Sequence, residues 1–143
     1  FIEKELFPYI QNNYRADDKD RAFFGHSAAG LLVSHILLEK PYLFNKYVLG
    51  SPAYSWDDNE IMKRIQGMDK VGGKSEIEIF SYVGGAESDR MLNNWNTFNN
   101  LLKEKSGSQI HIKDQVYEDE NHYSVYLLAF AKAIMFIYGN DYQ

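Results

Sequence analysis

Residues 22–30 read Ala22-Phe23-Phe24-Gly25-His26-Ser27-Ala28-Ala29-Gly30, and this stretch decides how the fold is interpreted. The short apolar run before Gly25 predicts a strand that is buried on both faces of a sheet. From Ala28 to Lys40 the apolar residues recur at helical spacing, and Pro41 ends the helix. A strand that passes into a helix within three residues is typical of α/β proteins with parallel sheets.

The rest of the chain repeats this pattern. We predict an opening helix that ends near Tyr14, in which Pro8 argues against a single straight helix. Further strands are predicted at 47–49, 77–83 and 110–116, and further helices at 58–68, 90–105 and 124–138. The predicted fold class is α/β, with a mostly parallel sheet flanked by helices. In such sheets ligands bind at the carboxyl ends of the strands.

Composition excludes several functional classes. The chain is 45% hydrophobic and 15% aromatic, which is enough for a packed core. A net charge of -5, without a clustered basic surface, argues against nucleic acid as a partner. No apolar run approaches the roughly 20 residues of a membrane span. The absence of Cys excludes disulfides and thiolate metal sites, and it fits cytoplasm and periplasm equally well, so the localisation stays unknown.

Ser27 is the candidate nucleophile. It lies at the predicted strand-to-helix turn, where a nucleophile elbow holds a serine in a strained conformation with its hydroxyl projecting outward. We expect small residues two positions before and after it, at Gly25 and Ala29, because strand and helix nearly touch there. The N-H of Ala28, at the start of the helix, is the candidate oxyanion donor. A common tight turn of small residues is the alternative interpretation.

A serine hydroxyl needs a general base, and four histidines are available. His122 follows the last predicted strand in a polar loop, which is where this fold places its catalytic histidine. His35 lies on a helix, and the alternation of the last strand makes His111 solvent-facing. His26 lies inside the elbow, where we expect it to pack or to form part of a pocket wall.

The base in turn needs an orienting carboxylate, and the loop after the third strand supplies two. Glu87 follows that strand after a short turn, whereas Asp89 lies close to the next helix and could cap it. Glu87 is the preferred acid, and Asp89 stays open. Tyr54 and Trp56 follow the second strand at the same sheet edge and could line a substrate pocket with His26, or could simply pack over a loop.

With these landmarks the chain resembles the "putative esterase" family of α/β-hydrolases, which includes enterobactin-type siderophore esterases, IroE-like hydrolases and S-formylglutathione hydrolases. The resemblance rests on the motif at 24–30, on 39–44 leading into Ser51-Pro52 and Trp56, on 83–87 and on 120–122. It implies the α/β-hydrolase fold, with Ser27 and His122 as catalytic residues and Glu87 at the usual acid position. Ala29 departs from the commoner glycine at that position.

The resemblance also implies that further strands precede Phe1, together with a loop that supplies the second N-H donor of the oxyanion hole. We therefore expect residues 1–143 to be the C-terminal portion of one α/β-hydrolase domain, and the start at Phe1 to be a cut. Residues 22–24 would then form an apolar sheet edge, which we expect missing strands, a partner chain or a neighbouring molecule to cover.

The predicted function is hydrolysis of a small-molecule carboxylic ester or thioester through an acyl-enzyme, without a metal or organic cofactor. The alternative is a catalytically inactive or truncated hydrolase-like domain that is used for binding or assembly.

Overall fold

The computed structural model describes residues 1–139 and is built around a four-stranded sheet. The strands are β1 Ala22–His26, β2 Lys46–Gly50, β3 Ile77–Gly84 and β4 Ile110–Tyr117. They lie side by side in chain order, and each neighbouring pair is parallel. The predicted α/β architecture with a parallel sheet is thereby confirmed.

Helices connect the strands. A π-helical turn at Ile2–Leu6 continues into α1 at Phe7–Asn13, with Pro8 in the first turn, where a missing N-H is tolerated. The crossover helices are α2 Ala28–Glu39, α3 Glu60–Gly67 and α4 Asp89–Lys105, and α5 Val125–Tyr138 follows β4. Because the strands are parallel, all four carboxyl ends lie at one edge of the sheet, which we call the site edge.

Alternating side chains of the strands fill two cores. On one face Leu49 and Ile79 pack with apolar residues of α2, α3 and α4. On the other face Val48, Phe80 and Tyr82 pack against α5. The buried residues of α5 recur every four positions, at Val125, Ala129, Ala133 and Ile137. The helices therefore lie on both faces, as crossovers of a parallel sheet require.

The expectation that the first strand is buried on both faces is wrong. β1 is an edge strand of the described sheet, Ala22 is exposed, and Phe23 and Phe24 are half-buried. Phe23 stacks on Phe44 with the ring centroids 4.8 Å apart, and Phe24 meets Phe130 edge to face at 5.1 Å. Each ring thus has a partner on its own face, but the outer backbone edge of β1 has no strand beside it in residues 1–139.

The helix predicted from Asp58 begins two residues later, at Glu60. A short 3-10 turn at Trp56–Asn59 precedes it, and within that turn Asp57, Asp58 and Asn59 all have positive φ. Asp and Asn tolerate this left-handed region better than other non-glycine residues. The helical pattern cannot reveal such a turn, because the two aspartates also suit the start of a helix.

Candidate active site

Ser27 lies at the site edge between β1 and α2, with φ 58° and ψ -119°. Its N-H donates to the carbonyl of Gly50 at 2.9 Å, and its carbonyl accepts from Leu31 and Ala53, each at 3.1 Å. A non-glycine residue in this conformation is strained by about 1–3 kcal/mol and persists where its surroundings fix it. Hydrogen bonds to the end of β2 and to the loop beyond it supply that fixation.

Glycines allow the close approach at this turn. A Cβ on Gly25 would lie 2.3 Å from the carbonyl oxygen of Ala29, and one on Gly30 would lie 2.8 Å from that of Gly50. The methyl of Ala29 itself is exposed. At Ala29 it is therefore the backbone, not the side chain, that lies close to the strand. The side chain that must be absent belongs to the next residue, Gly30.

Glu87 and His122 meet at the same edge. The Nδ1 of His122 lies 2.8 Å from Oε2 of Glu87, whose side chain is 2% exposed. The other carboxylate oxygen, Oε1, accepts from the hydroxyl of Ser51 at 2.5 Å and from the N-H of Gly84 at 3.0 Å. The buried carboxylate is therefore fully hydrogen-bonded, as a buried charge requires.

Two further glycines bring these groups together. The loop after β3 carries Glu87 and the loop after β4 carries His122. A Cβ on Gly84 would lie 2.4 Å from the carbonyl oxygen of Glu120, and one on Gly85 would lie 2.6 Å from the Cα of Glu118. The two loops can approach this closely because both positions lack a side chain.

The second acidic candidate, Asp89, is exposed and begins α4, where it faces the positive end of the helix dipole. Ser88 caps that helix by accepting from the N-H of Met91. The described contacts therefore pair His122 with Glu87, while Asp89 belongs to the helix start. His35 and His111 are both exposed, and His111 faces solvent as its strand pattern indicates.

His26 connects the elbow to the loop of His122. Its Nε2 lies 2.8 Å from the carbonyl oxygen of His122, and its Nδ1 lies 3.1 Å from the hydroxyl of Tyr82. The two imidazole rings are 4.7 Å apart between centroids. Burial and the nearby His122 lower the pKa of His26 below its usual value of 6.5. Since His26 directly precedes Ser27, His122 lies at the same end of the sheet as the serine.

The two aromatic residues that were expected to line a pocket, Tyr54 and Trp56, differ in their exposure. Trp56 is 72% exposed and borders a cavity of about 430 Å³, which reaches Ala28 and is also lined by Leu32 and His35. Tyr54, in contrast, is fully buried. Its hydroxyl forms a hydrogen bond with that of Ser34 at 2.9 Å, and its ring stacks on Phe98. The expectation that Tyr54 lines a pocket is therefore wrong, since it is a core residue.

A second cavity, also of about 430 Å³, is lined by Glu87, Met91, His122 and Tyr123, among others. No cluster of three or more His, Asp or Glu with metal-binding geometry occurs in residues 1–139. None of the helices in that part of the chain has the length and apolar character to span a bilayer.

The family is decided by comparison with known proteins. A family model described as "Putative esterase" matches residues 1–133. The chain belongs to this esterase family. Its curated relatives include the ferri-bacillibactin esterase BesA of Bacillus subtilis (strain 168), which is 32% identical over 146 residues. That match covers 99% of the chain and 50% of the relative.

Solved structures agree on the fold. The BES protein from Bacillus cereus superposes with a TM-score of 0.85 at 28% identity, over 96% of this chain and 52% of the other. An IroE-like serine hydrolase from Shewanella oneidensis gives a TM-score of 0.78 at 22% identity, over 94% and 44%. The chain therefore has the α/β-hydrolase fold, and it spans about half the length of the relatives it matches.

Sequence reasoning missed two residues of this candidate site. Ser51 is fully buried and donates to Glu87, and Tyr82 is fully buried and contacts His26. Both lie at carboxyl ends of strands, which is a signal that the sequence contains. Ser51 also has a positive φ of 36°, which the sequence does not reveal.

Proposed function

We propose that this esterase cleaves carboxylic esters or thioesters by a serine mechanism, with Ser27 as nucleophile, His122 as general base and Glu87 as the orienting acid. The observation that carries the proposal is the 2.8 Å contact between Nδ1 of His122 and buried Glu87, at the edge where strained Ser27 lies. Nucleophilic catalysis by serine requires a base that a third group orients, and backbone strain is frequent at such sites.

The hydrogen bonds define how the proton would move. A carboxylate can only accept, so Nδ1 of His122 carries a hydrogen and Nε2 keeps its lone pair. That lone pair takes the proton of Ser27 as its oxygen attacks the carbonyl carbon, and the resulting imidazolium is stabilised by Glu87. The imidazolium then gives the proton to the leaving alcohol or thiol, and water resolves the acyl-enzyme by the same route.

The start of α2 supports the negative charge that develops during attack. The first N-H groups of a helix have no partner within the helix and lie at its positive end. Ala28 is the first residue of α2, directly after Ser27. We assign its N-H to the oxyanion hole, where the loss of one such donor typically costs roughly 10²- to 10³-fold in kcat.

The relatives suggest a substrate class. BesA of Bacillus subtilis is named a ferri-bacillibactin esterase, and a matching solved structure is the enterobactin esterase Fes from Shigella flexneri. We therefore propose a siderophore ester as the substrate. Trp56 at the rim of the cavity beside Ala28 offers an exposed aromatic face to such a ligand.

We further propose that additional strands, a partner chain or a neighbouring molecule cover the outer edge of β1. The neighbouring surface of α5 supports this, because several of its large apolar side chains are at least 40% exposed: Tyr126, Leu127, Leu128, Phe130, Ile134 and Met135. An apolar surface of this extent, next to an unpaired edge strand, is usually an interface.

Hydrolysis of nitrophenyl esters of rising chain length, and of a catecholate trilactone, tests the proposal in the full-length protein. We expect turnover that Ser27→Ala abolishes, while alanine at exposed Ser75 leaves kcat unchanged. Retention of the folded state in Ser27→Ala is checked by thermal unfolding. Absence of turnover by the wild-type protein on every ester would contradict the proposal and favour an inactive binding domain.

A further inference from the structure

A chain of two hydrogen bonds ends on the backbone of His122. The hydroxyl of Tyr82 lies 3.1 Å from Nδ1 of His26, and Nε2 of His26 lies 2.8 Å from the carbonyl oxygen of His122. A carbonyl oxygen can only accept, so Nε2 must carry the hydrogen. Nδ1 of the neutral ring is then an acceptor, and it receives the O-H of Tyr82.

The sheet order gives this contact its importance. β1 and β4 lie at opposite edges of the four-stranded sheet, so about three strand spacings, or roughly 14 Å, separate them. The loop after β4 must therefore reach back across β3 and β2 to bring His122 to Ser27. Glu87 holds the imidazole from the end of β3. His26 holds the main chain from the end of β1, one residue before the serine.

The surroundings of His26 keep it in the required form. Burial, and then the charge of His122, lower the pKa of His26, while the hydrogen bond to the backbone of His122 and the charge of Glu87 act in the opposite direction and more weakly. The ring also meets Tyr126 of α5 edge to face at 5.5 Å. Burial raises the pKa of Tyr82, so its hydroxyl remains a donor. Gly50 leaves the space for that hydroxyl, since a Cβ there would lie within 2.3 Å of the tyrosine ring.

We infer that His26 is a positioning residue for the reaction: its Nε2-H holds the backbone of His122 so that the catalytic imidazole stays at Ser27, and Tyr82 fixes the tautomer that makes this possible. The inference rests on the proposed serine mechanism. It assigns His26 to the internal support of the site and not to the wall of the substrate pocket.

Two amide variants of His26 separate this role from general packing. The side-chain amide of Gln reaches about as far as Nε2 of histidine, whereas the shorter amide of Asn reaches about as far as Nδ1. We expect His26→Asn to lower kcat on nitrophenyl acetate roughly 10- to 100-fold, the range typical for a base misplaced by about 1 Å. His26→Gln should recover most of this loss, and KM should change less than kcat in both variants.

Equal losses in the two variants, or no loss in His26→Asn, would overturn the inference, because the donor at the Nε2 position would then not matter. Thermal unfolding of both variants checks that each is folded when its kcat is measured.

A second measurement does not depend on activity. Hydrogen exchange of residues 118–124, followed by mass spectrometry in the full-length protein, should be faster in His26→Asn than in the wild type and in His26→Gln. Unchanged exchange in His26→Asn would overturn the inference even if the enzyme is active. If the wild-type protein hydrolyses no ester, the proposed function fails by itself, and the exchange experiment still decides whether His26 holds this loop.

Discussion

Ser51 donates a short hydrogen bond to Glu87, and both side chains are buried. Its removal leaves the N-H of Gly84 as the remaining described donor to the same carboxylate oxygen. We predict that Ser51→Ala lowers kcat roughly 10- to 150-fold, since one hydrogen bond to a buried charge contributes about 1.5–3 kcal/mol. Steady-state kinetics on a nitrophenyl ester measure this, with exposed Ser75→Ala as the matched control. A kcat of Ser51→Ala equal to that of the wild type would show that the hydrogen bond from Ser51 to Glu87 does not contribute to turnover.

The lowered pKa of His26 predicts how stability depends on pH. Below about pH 6.5 the unfolded chain takes up a proton at this residue while the folded protein does not, so the free energy of unfolding falls as the pH falls. The loss is complete once the pH drops below the pKa in the folded state, and the full contribution is present above about pH 6.5.

Urea unfolding at about pH 5 and pH 7.5 measures this effect. The difference in free energy of unfolding between the two pH values should be smaller in His26→Gln, which has no group to titrate there. The same difference in both proteins would show that other groups cause the dependence.

Single residues of the site were predictable where chain order restricts the choice. Ser27, Glu87 and His122 each follow a predicted strand, and parallel strands bring such positions to one edge. Which of Glu87 and Asp89 contacts His122 does not follow from the sequence, because loop geometry decides which carboxylate is buried. Tyr54 was assigned to a pocket although it lies in the core, since burial of an aromatic residue cannot be read from its position after a strand.

At the scale of the elements, the loops after β3 and β4 must touch for Glu87 to reach His122. We predict that Gly84→Ala destabilises the protein by about 1–3 kcal/mol, the usual cost of forcing an extra methyl into a packed contact. Turnover should also fall, because the new Cβ displaces the backbone at Glu120, two residues before His122.

The matched control is Gly67→Ala, since a Cβ on that exposed glycine at the end of α3 meets nothing within 4 Å. Its stability should be unchanged or slightly higher. Chemical unfolding and kinetics of both variants measure the difference, and equal behaviour of the two would contradict the role of the loop contact.

Element types followed from the sequence better than element environments. All four strands and the helices between them were predicted, because the spacing of apolar residues differs clearly between strands and helices. The left-handed turn before α3 was not predicted, because it depends on backbone angles that Asp57 and Asp58 tolerate without changing the apolar pattern.

At the scale of the whole molecule, the unpaired edge of β1 and the apolar outer surface of α5 lie side by side. Phe24 connects them, because its ring packs against both Tyr126 and Phe130. If further strands or a partner cover this surface, the amides of residues 22–26 should exchange slowly in the full-length protein. We predict protection comparable to that of β2, whose residues are all buried. Rapid exchange at the amides of β1 that do not bond to β2 would contradict a covered edge.

Covalent labelling tests whether His122 activates Ser27. A fluorophosphonate reacts with a serine whose proton is removed by a neighbouring base. Peptide mass spectrometry of the labelled full-length protein should find the adduct on Ser27, and His122→Gln should slow its formation by roughly 100-fold or more. A wild-type protein without an adduct at Ser27, or an adduct that forms equally fast in His122→Gln, would show that His122 does not activate Ser27.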